Sequence, residues 1–303
     1  MATRTQTAAS GSSNPVIPRR RMDFAFDPTL VPKSYYANDP FLTEIMNALS
    51  TLFPEGEQFF VDSVRHYKDQ ITDPVLQAEI VGFVGQEAMH SKEHEAFNAM
   101  LEAHGNPVAK KSDEELEVLL KLVRKVLSPA SQLAATCALE HYTAILAEQI
   151  LRDERHRESL HPTMQPLWLW HALEENEHKT VAYDVYEAVD GSYLRRTSIM
   201  LLATVVFFAV ATQVWLRMIA ARGKLGDVVG LAKAVDYLWL RRGLFRSLIP
   251  AYLDYFRPGF HPNDHDTRAL LDDWREKLFG ESGTMKAQLK NVFIPKVQSN
   301  AAA

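Results

Sequence analysis

The sequence predicts an all-α protein organised as a four-helix bundle, with further helices at its C-terminal end. Three observations carry that expectation. Asp39-Pro40 and Asp73-Pro74 each set a capping carboxylate before a first-turn proline, and Pro129 opens another long apolar segment. No stretch alternates apolar and polar residues over a useful strand length. Finally, Glu57, Glu87–His90, Glu140 and Glu175–His178 place a lone acid or a Glu-x-x-His pair on four successive helical segments.

Taken in order, residues 1–22 are rich in Ser, Thr, Ala and Arg and lack an apolar signal core, so they read as a disordered tail. Residues 23–39 read as an extended arm, followed by a helix from Asp39-Pro40. Pro54 is expected to break that helix and start another, to about residue 69. The segment 74–104 is a long helix stopped by Gly105. Ser112 and Glu115 form an expected capping box before a helix over 113–127. Pro129 begins a helix to about Arg152, and Pro162 or Pro166 precedes one reaching about Val189. The expected organisation is a bundle over 23–192, a helical extension over 193–280 and a tail over 281–303.

With 303 residues the chain is ample for a large core, and 47% hydrophobic and 23% charged residues are ordinary for a globular protein. A net charge of −5 argues against nucleic acid as a partner. The single cysteine, Cys137, sits in an apolar helical stretch and reads as a small buried hydrophobe of a reducing cytoplasm.

Residues i and i+3 of a helix lie about 60° apart, so Glu87 with His90, and Glu175 with His178, can reach one ion together. Glu174 competes with Glu175 but lacks that spacing to His178. Carboxylate and imidazole suit iron or manganese, whereas a structural zinc would call for thiolates. Four carboxylates neutralise two divalent cations, and unpaired they would be costly in a core. Apolar flanks around Glu57 and Glu140 argue for burial. His94, His171 and Glu148 are candidates for additional ligands or for groups that orient a ligating imidazole; Asp62 and Asp184 are candidates for the latter role only.

The stretches Phe53-Pro54-x-Gly56-Glu57, Gln86-Glu87-Ala88-Met89-His90-x-x-x-His94, Glu140-His141 and Glu174-Glu175-x-Glu177-His178-Lys179 resemble the ferritin-like superfamily. Within it, the chain most resembles the bacterial family of predicted metal-dependent hydrolases, over most of residues 25–275. The resemblance implies that Glu57 and His90 serve one metal and Glu140 and His178 the other, with Glu87 and Glu175 bridging. The family name implies hydrolysis, while the ligand set is that of di-iron oxidases and oxygenases.

Ser198 to Leu216 is an uncharged run long enough to cross a bilayer, and equally suited to a fully buried helix. The basic, aromatic-rich segment after it suits an anionic membrane surface. The His/Asp cluster over 254–266 reads as a structural loop.

The leading functional expectation is a di-iron enzyme. It uses two iron ions, with manganese as a second option, to activate O2 and oxidise a small apolar, lipid-like substrate by hydroxylation, desaturation or N-oxygenation. It would need an unidentified electron donor. The alternative is metal-dependent hydrolysis of an ester or phosphate; a third reading is a non-catalytic metal-binding bundle. A homodimer and a cytoplasmic location at the inner face of the membrane complete the expectations.

Overall fold

The structure, a computed structural model, describes residues 17–240 and 243–297. Helices dominate it: α1 (Pro40–Arg65), α2 (Pro74–Ala103), α3 (Val108–Val126), α4 (Pro129–Arg152), α5 (Glu154–Ser159), α6 (Gln165–His178), α7 (Val181–Val189), α8 (Tyr193–Ala221), α9 (Val228–Val235), α10 (Ile249–Asp254) and α11 (Arg268–Phe279). Two short strands, β1 (Arg19–Met22) and β2 (Leu289–Phe293), pair antiparallel.

The helix starts at Asp39 and Asp73 are as expected: their carboxylates accept from the backbone N–H of Leu42 and Val75. Pro54 does not break the chain, because α1 runs straight through it. A proline at position 54 cannot donate to the carbonyl of Ser50, and the side-chain amide of Asn98 on α2 donates there instead at 3.1 Å. The orphaned acceptor is satisfied from a neighbouring helix, and the helix continues. The expected capping box also fails: α3 begins at Val108, and Ser112 is buried inside it. The last expected helix is interrupted after His178, giving α6 and α7.

α1 packs on α2, and α4 on α6 and α7; contacts of α1 with α4, and of α2 with α6 and α7, join the two pairs. Along α1, α2 and α4, and along α6 continued into α7, a polar stretch separates two apolar clusters. Phe97, Leu151, Trp168 and Trp170 belong to one cluster, and Phe59, Phe83, Leu133 and Val185 to the other. Glu57, Glu87, Glu140 and Glu175 fall between them in sequence on all four. α8 packs against α4 and α1 with only five buried residues, so it is not a buried core helix.

Both termini differ from expectation. Residues 1–16 and 298–303 lie outside the described residues. Residues 17–22 pack against the helices: Ile17, Arg20 and Met22 are buried. The supposed tail over 281–303 contains buried Met285 and the strand that pairs with β1. Gly82 and Gly85 on α2 make this possible. A Cβ at Gly82 would sit 2.6 Å from the Ile17 carbonyl oxygen, so only glycine lets the N-terminal segment lie across the helix there; one at Gly85 would press on the Arg19 side chain at 2.7 Å.

Candidate metal centre

The six acid and imidazole groups picked out by spacing converge. Glu57 comes from α1, Glu87 and His90 from α2, Glu140 from α4, Glu175 and His178 from α6, and each is at most 2% exposed. Glu87 lies between the two imidazoles, with Oε1 3.0 Å from His178 Nε2 and Oε2 3.7 Å from His90 Nδ1. Glu175 does the same, its Oε1 3.3 Å from His90 Nδ1 and 3.7 Å from His178 Nε2. Glu140 Oε2 approaches His178 Nε2 at 3.4 Å. The donor atoms form three compact groups, Glu87–Glu140–His178, Glu87–His90–Glu175 and Glu57–His90–His171.

The outer nitrogen of each imidazole is occupied. Glu174 can only accept, so His90 Nε2 donates to it at 3.2 Å. Gln86 donates through its amide nitrogen to Pro18 O and Glu177, which turns its carbonyl oxygen toward His178 Nδ1 at 2.9 Å. His90 Nδ1 and His178 Nε2 are therefore left facing the interior. Neither makes a hydrogen bond of proper geometry, nor do both oxygens of Glu87 and Glu140, Oε1 of Glu57 or Oε2 of Glu175. Buried polar atoms are normally satisfied, and these eight converge on one place. A cation set fits them.

Charge explains why. Burial drives Glu140 up to about 8, with the Glu87 carboxylate adding to it. Burial, then Glu87, holds Glu57 well above the usual carboxylate range. Burial opposes ionisation of Glu87 and Glu175 too, but the adjacent histidines outweigh it and both lie below the normal value. Burial likewise disfavours charge on His90 and His178, yet the surrounding carboxylates hold both well above the normal imidazole value. Protons thus stand where divalent cations would neutralise the same acids.

His171 joins the centre: its Nε2 lies 3.0 Å from Glu175, and its ring stacks on His90. His94 is one step further out, 2.7 Å from His171 Nδ1 and bonded through its own Nδ1 to Ser50. Glu148 is not part of the site. Eight residues beyond Glu140 it has rotated about 80° off that face, and it pairs with Arg152 at 2.6 Å. Asp62 and Asp184 are also elsewhere, paired with Arg124 and His261. Cys137 is buried and free. The 254–266 loop is held by pairs such as Arg257–Asp264 and His265–Asp254.

The spacing argument did not find the outer scaffold. The Glu177 side chain is enclosed and bonded by Arg20, Arg275 and Gln86. Arg20 also bonds Glu174 at 2.8 Å. Glu174, Glu177 and Gln86 are adjacent to ligand positions in sequence; nothing in the sequence marks Arg20.

A cavity of about 690 Å³ reaches the centre, touching Glu57, Glu175 and His171 at its inner end. Elsewhere its walls are nearly all apolar, among them Leu52, Leu120, Leu139, Leu146 and Phe207. Gly56 lines it beside Glu57, and a Cβ there would meet nothing.

No curated protein and no solved structure matches the chain. The family described as "Predicted metal-dependent hydrolase" matches residues 18–266, which contain every residue of the centre described above, and the chain belongs to that family.

Proposed function

We infer that the protein is a dinuclear metal enzyme with a ferritin-like bundle, acting on an apolar, lipid-like substrate. One observation carries this: eight buried ligand atoms without hydrogen bonds share a centre that an apolar cavity reaches at Glu57, Glu175 and His171. Glu57 and His90 would hold one ion and Glu140 and His178 the other. Glu87 and Glu175, each lying between the two imidazoles, would bridge them.

The carboxylate-rich, thiolate-free set favours iron, and a ferrous pair held there would supply redox chemistry toward O2. Around them the chain's own groups have definable tasks. Glu174 and Gln86 fix the imidazole rings, and the apolar walls exclude water and align a hydrocarbon chain toward Glu57 and Glu175. On this reading the reaction is oxidation of that chain, with an external electron donor.

Hydrolysis is the second reading, and the family description favours it. There the two ions would act as Lewis acids on an acyl ester whose chain fills the same cavity. The two are separated by one set of assays on anaerobically purified protein. Iron-loaded protein given long-chain acyl substrates and a chemical reductant as electron donor should consume O2 and yield an oxidised chain. Ester cleavage by manganese- or zinc-loaded protein, without O2 uptake under any condition, would replace the first reading with the second. Gly56→Leu should obstruct the inner cavity and lower turnover of long substrates while leaving metal content unchanged.

A further inference from the structure

The cavity opens on a surface that water does not suit. Leu202 and Phe208 on α8, Leu231 and Val235 on α9, Trp239, and Ile249 on α10 all line the cavity and are all exposed. The opening therefore lies among these helices. Around it the apolar surface continues through Leu201 and Val205 on α8 and Val228 and Val229 on α9, the last three 66–72% exposed. Scattered exposed hydrophobes need no explanation, but a continuous apolar rim around a cavity mouth marks an interaction surface.

Its chemistry points to one occupant. The α8 stretch from Ser198 to Leu216 has no charged residue. Lys233, between mouth residues Leu231 and Val235, and Arg246, just before Ile249, are exposed. Of the other basic groups nearby, Arg222 turns inward to Glu44, and Arg217 pairs with Glu115 at the surface. An uncharged centre, an exposed tryptophan and a basic fringe match the depth profile of an anionic bilayer surface. A second copy seated here would close the opening through which a substrate must pass. One face of α8 is packed on α1 and α4, so this helix lies along the protein and meets lipid with its other face only.

We propose that the α8–α10 face docks on an anionic phospholipid bilayer and that the cavity mouth takes a lipid chain laterally from the leaflet. The proposal rests on the apolar-substrate reading above for its destination, and on the rim alone for its docking.

The test uses the full chain with phosphatidylcholine vesicles, with and without phosphatidylglycerol. Flotation should show binding to the anionic vesicles that weakens with added salt. Val205→Glu/Val228→Glu, which alters rim positions outside the cavity lining, should reduce it roughly tenfold or more. Brominated acyl chains should quench Trp239 fluorescence. Trp215→Phe/Trp239→Phe keeps Trp168, Trp170 and Trp274, of which only Trp168 lines the cavity, so residual quenching in it should report chain entry to Trp168. Absence of vesicle binding, or a stable dimer that the Glu variants convert to monomers, would overturn docking. Binding with no quenching beyond Trp239 would overturn lateral uptake. Metal content is measured on the same samples: vesicle binding by a protein that never takes up metal would remove the enzymatic reading and leave docking intact.

Discussion

His90 Nε2 lies 3.2 Å from Oε2 of Glu174, and the other oxygen of that carboxylate accepts from Arg20 at 2.8 Å. The strand residue thus fixes the acid, the acid fixes the ring, and the ring presents Nδ1 to Glu87 and Glu175. Glu174→Ala should lower metal affinity by about 10–100-fold without altering the helical content. Glu174→Gln, which retains an acceptor, should lose less. Isothermal titration with Fe2+ or Mn2+ measures both, and wild-type affinity in the alanine variant would refute the positioning role.

Metal uptake should depend on pH with a defined sign. In the metal-free site Glu140 titrates at about 8, and Glu57, His90 and His178 hold protons above their ordinary values. Cations must displace these protons. Affinity should therefore rise between about pH 6 and about pH 8, roughly tenfold per pH unit for each proton released. Loading in weak buffer should acidify the solution; a pH-independent affinity would contradict this picture of the site.

Arg20 is buried on Glu174 and Glu177 and cannot be removed as part of a dispensable tail. Arg20→Ala leaves two buried carboxylates short of a partner and should cost about 3–5 kcal/mol of stability in denaturant melts. Arg21→Ala, on an exposed neighbour, should change stability by less than about 0.5 kcal/mol. Equal effects from the two would remove the distinction.

Glu79 on α2 is 5% exposed, its Oε1 has no hydrogen bond, and burial pushes its carboxyl up to about 7. Because the folded value lies above the unfolded one, ionising this group costs stability as pH rises from about 4.5 through 7. Glu79→Gln should stabilise the protein by about 2 kcal/mol at pH 8, a figure already discounted for partial solvation, and by little near pH 4.5. Thermal melts at the two pH values check it. A gain of equal size at both would assign it to something other than charge.

The legible parts of this fold were those decided locally or by periodicity. Asp39 and Asp73 cap their own helices, and i, i+3 spacing puts Glu87 with His90 and Glu175 with His178 on common faces whatever surrounds them. What failed depended on distant chain. Pro54 reads as a break unless Asn98 of α2 supplies the missing donor. Ser112 resembles a cap, but tertiary packing buries it within α3. Arg20 looks like a tail residue because its strand partner is Val292. Glu148 was a phase error, eight residues being a poor multiple of the helical repeat.

The central claim is that the six converging side chains hold two cations. Anomalous diffraction from crystals of the iron- or manganese-loaded protein tests it most directly. Two peaks are expected, one bounded by Glu57 and His90 and the other by Glu140 and His178, with Glu87 and Glu175 between them. A single peak, peaks elsewhere, or a centre that stays free of metal under saturating conditions would contradict it.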